Sequence, residues 1–202
     1  MGPGVPEARA IQGMTAGRMP GVSKVPDAEG YYLYRRPEGK SGGHGVGWSE
    51  IPQYTFKVPP GWDEIPVSIA DLGGTEIDLR FQSKEAGDLA VIVAPVLRFM
   101  DLGFNARVTL KEIGDPQRVI EGFAPELYGA PLNDGEVLDS SFKTQEDGGL
   151  YYYYDLSKNR LVSATATKNR VFIITISATS RQFKKHADEL RAIQQSFRVA
   201  PE

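Results

Sequence analysis

LYYYYDLSKNRLVSATATKNRVFIITISAT, residues 150–179, is the stretch whose reading decides the fold. Its aromatic and β-branched runs, LYYYYDL, LVSATAT and RVFIITISAT, suit a pleated, half-buried surface. Ser157 to Arg160 and Lys168-Asn169 separate them, each long enough only for a tight reversal, so the stretch reads as two successive hairpins. In the last run Val171 and Ile173 face one side while Phe172, Ile174 and Ile176 face the other. Both faces are apolar, so both must be covered. Tyr151 to Tyr154 alternate across their strand, which predicts two rings under a helix and two partly exposed.

Outward from this core the pattern holds. Glu136 to Gln145 reads as a strand joined to the Tyr run by Asp147-Gly148-Gly149. Tyr54 to Val58 alternates and stops at Pro59-Pro60-Gly61. Thr75 to Gln82 alternates more strictly, with Ile77, Leu79 and Phe81 pointing one way and Glu76, Asp78 and Arg80 the other. Leu89 to Leu97 is continuously apolar, with a bulge or edge at Pro95. Asp115-Pro116 supplies an N-cap and a first helical residue, Pro125 predicts a break, and Gly129 a stop. A last helix, which Ser180 can cap, carries the stripe Phe183, Ala187, Leu190, Ile193 and Phe197. The predicted class is α+β: a central antiparallel sheet with helices on both faces.

Glycine and proline make up 16 of the first 50 residues but 20 of the other 152. The sequence therefore divides into an extended N-terminal arm, 1–49, and a folded unit, 50–202. A net charge of −3 argues against a nucleic-acid binder, which needs a basic surface. No apolar run is long enough to span a bilayer, and the chain is expected to be a resident of its compartment or a mature form. Without cysteine there is no thiolate chemistry, and histidine occurs only at 44 and 186. No G-x-S-x-G elbow is present, and Asp101, Asp115, Asp147 and Asp155 lack calcium-loop spacing. The inventory leans against catalysis and implies no cofactor.

LYYYYDL, LVSATATKNRVFIITISAT, the basic FKK and a terminal helix ending in SFRV resemble the C-terminal half of the PsbP family. YTFKVPPGW resembles its opening strand and turn, and DLAVIVAPV its next long strand. The resemblance covers roughly residues 50 to 200. It implies an α/β/α sandwich in the thylakoid lumen, non-catalytic, peripheral to the membrane and docked on a photosynthetic membrane complex. The founding member is an extrinsic subunit of photosystem II that supports calcium and chloride retention at the oxygen-evolving centre. Relatives assist assembly of either photosystem or belong to the chloroplast NADH dehydrogenase-like complex. Lys158-Asn159-Arg160 stands where the founding type carries a histidine associated with metal binding, so no metal site is carried over. Photosystem II, as subunit or assembly factor, is the favoured partner. Photosystem I, the NADH dehydrogenase-like complex, a lumenal small-ligand or metal-ion carrier, and an enzyme around His44 or His186 are the alternatives.

RRPEGKSGGHGVGWSEI, residues 35–51, is the candidate docking arm. A phosphate loop needs Lys and Ser or Thr after the last glycine and a helix to follow, whereas Gly47 precedes Trp48-Ser-Glu-Ile-Pro. Arg and Trp are favoured at binding hot spots, so Arg35, Arg36, Lys40, His44 and Trp48 are assigned to a partner. A segment folding back on its own domain, with Trp48 plugging the core edge, and a slack glycine-rich linker are the alternatives. Arg181, Lys184 and Lys185 fall in the first turns of the last helix, where positive charge opposes the helix dipole. They read either as a solvated, screened face or as the contact for an acidic partner surface, and are assigned as candidate partner-binding residues.

Overall fold

The computed structural model describes residues 19–40, 51–67, 75–104 and 106–201. Seven strands form the main sheet in the order β3-β4-β5-β9-β8-β7-β6. They are β3 (Asp63–Ile65), β4 (Glu76–Ser83), β5 (Gly87–Pro95), β6 (Val137–Thr144), β7 (Leu150–Leu156), β8 (Arg160–Thr167) and β9 (Arg170–Ser177). All neighbours are antiparallel. A second sheet, β1-β2-β10, joins β1 (Tyr32–Arg35), β2 (Tyr54–Val58) and β10 (Arg198–Val199). The helices are α1 (Leu110–Ile113), α2 (Pro116–Gly122), α3 (Ala124–Tyr128) and α4 (Ser180–Ser196).

The predicted meander is present because its turns fit. Lys168 and Asn169, between the paired Thr167 and Arg170, take left-handed φ angles of 52° and 57°, the backbone of a two-residue hairpin whose twist matches its strands. Lys158 and Asn159, in the three-residue loop between the paired Leu156 and Arg160, are left-handed as well, at 64° and 57°. Leu161, Phe172, Ile174 and Ile176 face α4 and the small sheet, whose Leu190, Ile193, Tyr54, Phe56 and Val58 complete one core. Val162, Ala164, Val171 and Ile173 face the other way, under Leu110, Val119, Ile120, Phe123 and Leu127 of the short helices. Helices therefore cover both faces, as the apolar pattern of β9 requires.

Four details differ from the sequence reading. All four tyrosines 151–154 are buried, Tyr151 and Tyr153 on the α4 side and Tyr152 and Tyr154 under α1–α3, since both faces are roofed there. Thr179, not Ser180, caps α4: its hydroxyl accepts from Gln182 N (3.1 Å), and Gln182 Oε1 accepts from Thr179 N (2.9 Å). Ile77 does not share a face with Leu79 and Phe81. A bulge between Ile77 and Leu79 inserts one residue, shifts the alternation, and leaves Asp78 buried.

The fourth difference concerns the arm. Residues 19–40 do not project from the body. β1 pairs with β2 along Tyr32↔Val58 to Arg35↔Thr55, and Met19, Val22 and Tyr34 belong to the α4-side core. The glycine and proline content of this segment reflects turns, such as Gly21, whose added Cβ would lie 2.6 Å from Arg35 O. The segment 41–50, with His44 and Trp48, lies outside the described residues.

Candidate docking surface

The bulged Asp78 is the anchor for the chain that enters residues 41–50. Arg36 Nε and Nη2 donate to its two carboxylate oxygens at 2.8 and 3.0 Å, and the Tyr54 hydroxyl donates to Oδ2. Lys40 Nζ donates to the Asp78 carbonyl and lies 3.6 Å from the carboxylate. Gln53 Nε2 donates to Arg36 O at 2.7 Å, and Arg36 N to Tyr54 O at 2.9 Å. Burial alone would raise the Asp78 pKa. The Arg36 fork, the Lys40 charge and the Tyr54 donor outweigh it and hold the carboxyl below its ordinary value. Burial beside that anion pushes the Tyr54 phenol well up, so it stays a donor.

This geometry corrects one assignment. Arg36 is 1% exposed and forks onto both Asp78 oxygens, so it is a structural clamp rather than a partner contact. Lys40 is half-buried on the same carboxylate. Arg35 is exposed on β1, opposite Thr55, with no side-chain partner among the described residues. His44 and Trp48 lie outside the described residues.

Arg181, Lys184 and Lys185 are exposed on the first two turns of α4, again without side-chain partners among the described residues. The helix kinks at His186 (φ −119°, ψ 19°), whose Nδ1 lies 3.4 Å from Glu189 Oε1. Its ring lines a hollow of about 490 Å³ with Asp63, Glu85 and Glu189. Glu189 and Asp188 also act on Tyr31, so the turn before β1 lies beside this part of α4. Elsewhere, Leu110, Pro116, Phe142, Thr144, Leu150 and Tyr152 line a cleft of about 670 Å³ between the short helices and β6–β7. No cluster of three or more His, Asp or Glu suited to a metal occurs among the described residues.

Sequence reading missed Asp78 and Tyr54. The signal was an acid within an apolar strand and two arginines before a proline, but strict alternation placed Asp78 outside. It also missed β6 as an edge, where Leu138 and Phe142 are 66% and 70% exposed.

A family model described as PsbP matches residues 49–199. The chain is 51% identical over 189 residues to PsbP domain-containing protein 4, chloroplastic, of Arabidopsis thaliana, covering 93% of this chain and 71% of the relative. PsbP domain-containing protein 6, chloroplastic, of the same plant is 25% identical, covering 74% of this chain and 61% of that relative. The thylakoid lumenal 19 kDa protein, chloroplastic, also from Arabidopsis thaliana, is 25% identical over 73% of this chain and 62% of its own length. The chain thus spans less than two thirds of the latter two. The solution structure of cyanobacterial PsbP from Synechocystis sp. PCC 6803 superposes with a TM-score of 0.55 at 20% identity, covering 83% of this chain and 92% of that one. With the family match spanning residues 49–199 of its 202 and the same sheet-and-helix architecture, the chain belongs to the PsbP family.

Proposed function

We propose that this chain works in the thylakoid lumen as a non-catalytic docking module on the lumenal face of a photosynthetic membrane complex. Photosystem II, as extrinsic subunit or assembly factor, is the first partner; photosystem I or the chloroplast NADH dehydrogenase-like complex comes second. Chloroplast relatives, one of them named as thylakoid lumenal, support the location. No helix among the described residues is long and apolar enough to cross a membrane, in keeping with peripheral attachment.

The observation that carries the docking reading is the set Arg181, Lys184 and Lys185. A chain of net charge −3 keeps three exposed cations on the first two turns of α4, Arg181 in the first turn where the helix dipole disfavours it, without pairing them to its own acids among the described residues. Such placement costs folding stability and gains attraction for an acidic surface. The Asp78 clamp fixes Arg36 and Lys40, which precede His44 and Trp48 in sequence. Arg35 supplies a further exposed guanidinium on the small sheet.

The test is comigration with photosystem II on native gels of detergent-solubilised thylakoids. The triple variant Arg181→Glu, Lys184→Glu, Lys185→Glu is expected to fold normally and lose comigration. Unchanged comigration contradicts the reading. Deleting 1–49 is not a clean test, since it also removes β1 and Arg36 from the body. Trp48→Ala within the intact chain probes the arm instead.

A second reading, a lumenal carrier of a small apolar ligand, is favoured by the 670 Å³ cleft. A ligand-dependent rise in melting temperature, abolished by Tyr152→Ala, distinguishes it from docking.

A further inference from the structure

The main sheet ends in two edges of unlike character. At one end β3 is three residues long and carries Asp63 and Glu64, a short acidic edge of the kind that discourages pairing. At the other, β6 is eight residues long without proline, and every residue from Leu138 to Thr144 is exposed. Among the described residues β7 is its one strand partner. Its protection there is a bulge between Val137 and Asp139 and the charges of Asp139 and Lys143.

Gln145 N donates to Gly149 O (2.8 Å), which sets the phase of the ladder. Alternation then directs the backbone groups of Lys143 and Ser141 at β7, and those of Ser140, Phe142 and Thr144 away from it. A strand added at this edge must bond to the even-numbered residues.

We propose that β6 pairs antiparallel with β6 of a second copy of this chain, in the register that sets Ser141 opposite Ser141 on the two-fold axis. The charge pattern selects both occupant and register. Asp139 and Lys143 lie two residues either side of Ser141, so each carboxylate meets the Lys143 ammonium of the second copy directly across the ladder. Ser140 then bonds to Phe142 of the second copy and the reverse, using the outward backbone groups. The two Phe142 rings, 70% exposed in the single chain, become diagonal neighbours beside the axis on the α1–α3 side. The two registers shifted by two residues keep the hydrogen bonds but leave Asp139 and Lys143 without opposite charges across the ladder. The pairing closes as a two-fold, joins two seven-stranded sheets into one, and removes the exposed edge. It goes beyond docking on a photosynthetic complex and stands or falls separately, because it uses neither the arm nor the cations of α4.

The chain contains no cysteine, which gives a direct test. The Ser141 pair is of the non-hydrogen-bonded kind, with Cα atoms ~4.5 Å apart, within disulfide range. The full-length Ser141→Cys variant under mild oxidation is expected to yield a disulfide-linked dimer as the main product. Lys143→Cys, whose two copies would lie about four residues apart along the strand, or ~13 Å, is expected to stay monomeric. In sedimentation of the cysteine-free chain, Lys143→Glu is expected to weaken self-association about tenfold, by setting like charges across both pairs. Adding Asp139→Lys to Lys143→Glu restores it. Equal cross-linking at 141 and 143 overturns the register. A chain that stays monomeric across the concentration series, with no preference for the disulfide in the Ser141→Cys variant, overturns the proposal.

Discussion

Replacing Asp78 by Asn probes the element that ties residues 19–40 to the sheet. The side chain keeps its size but loses the charge facing Arg36, which is 1% exposed and donates to both carboxylate oxygens. Breaking a buried ion pair by neutralising one partner costs about 3 to 5 kcal/mol, because the remaining charge has lost its compensation. For a chain of this length each kcal/mol lowers the melting temperature by about 2 to 4 °C, so the variant should melt roughly 6 to 20 °C lower. Thermal unfolding followed by far-UV circular dichroism measures it. Arg36→Met in the Asp78→Asn background should recover much of the loss, since no buried charge is then stranded. The pH dependence gives a second reading. The folded carboxyl lies below its unfolded value, so its stabilisation is fully present above about pH 4 and is lost as the pH falls through the folded pKa. Asp78→Asn should remove that part of the acid sensitivity. A melting point within about 2 °C of the parent, or strictly additive single and double variants, would refute the clamp.

Other changes separate packing from docking. Gly122→Ala should cost about 1 to 3 kcal/mol in denaturant titration, because its Cβ would lie 2.1 Å from the Phe99 ring. Gln194→Leu should cost about 1 to 3 kcal/mol, since buried Gln194 Nε2 donates at 3.0 Å to both Tyr154 O and Val162 O and straps α4 to the sheet. Asn169→Gly should be milder than Asn169→Ala: both lose the side-chain bonds to Val108 N and Ala106 O, but only glycine keeps φ of 57° without strain. Arg181→Glu should raise melting slightly, by relieving the clash with the α4 dipole, while weakening attachment to thylakoid complexes. A surface with no partner would show the rise in melting and leave attachment unchanged.

Local signals carried most of the fold. Asp115-Pro116, the break before Pro125 and the left-handed Gly129 fall where helix chemistry puts them. The apolar faces of β9 foretold two roofs because a strand this apolar has no water-facing side. What was hidden is long-range. One inserted residue at Asp78 reverses the alternation of β4, and its partner Arg36 is 42 positions away in sequence. Glycine and proline content could not tell an arm from a turn-rich segment held by β1, since both need the same residues. The candidate site divides in the same way: exposed Arg35, Arg181, Lys184 and Lys185 were legible as surface cations, whereas Arg36 was buried by a carboxylate that its own stretch does not contain.

The most direct measurement of the docking claim is site-specific photo-cross-linking from position 184 in isolated thylakoids, with the captured peptides identified by mass spectrometry. The account predicts adducts with acidic lumenal segments of photosystem II subunits, lost when Arg181 and Lys185 are reversed to Glu. Adducts confined to other complexes would contradict the choice of partner. A probe that captures no membrane-complex subunit, in a protein shown to be folded, would contradict docking through this surface.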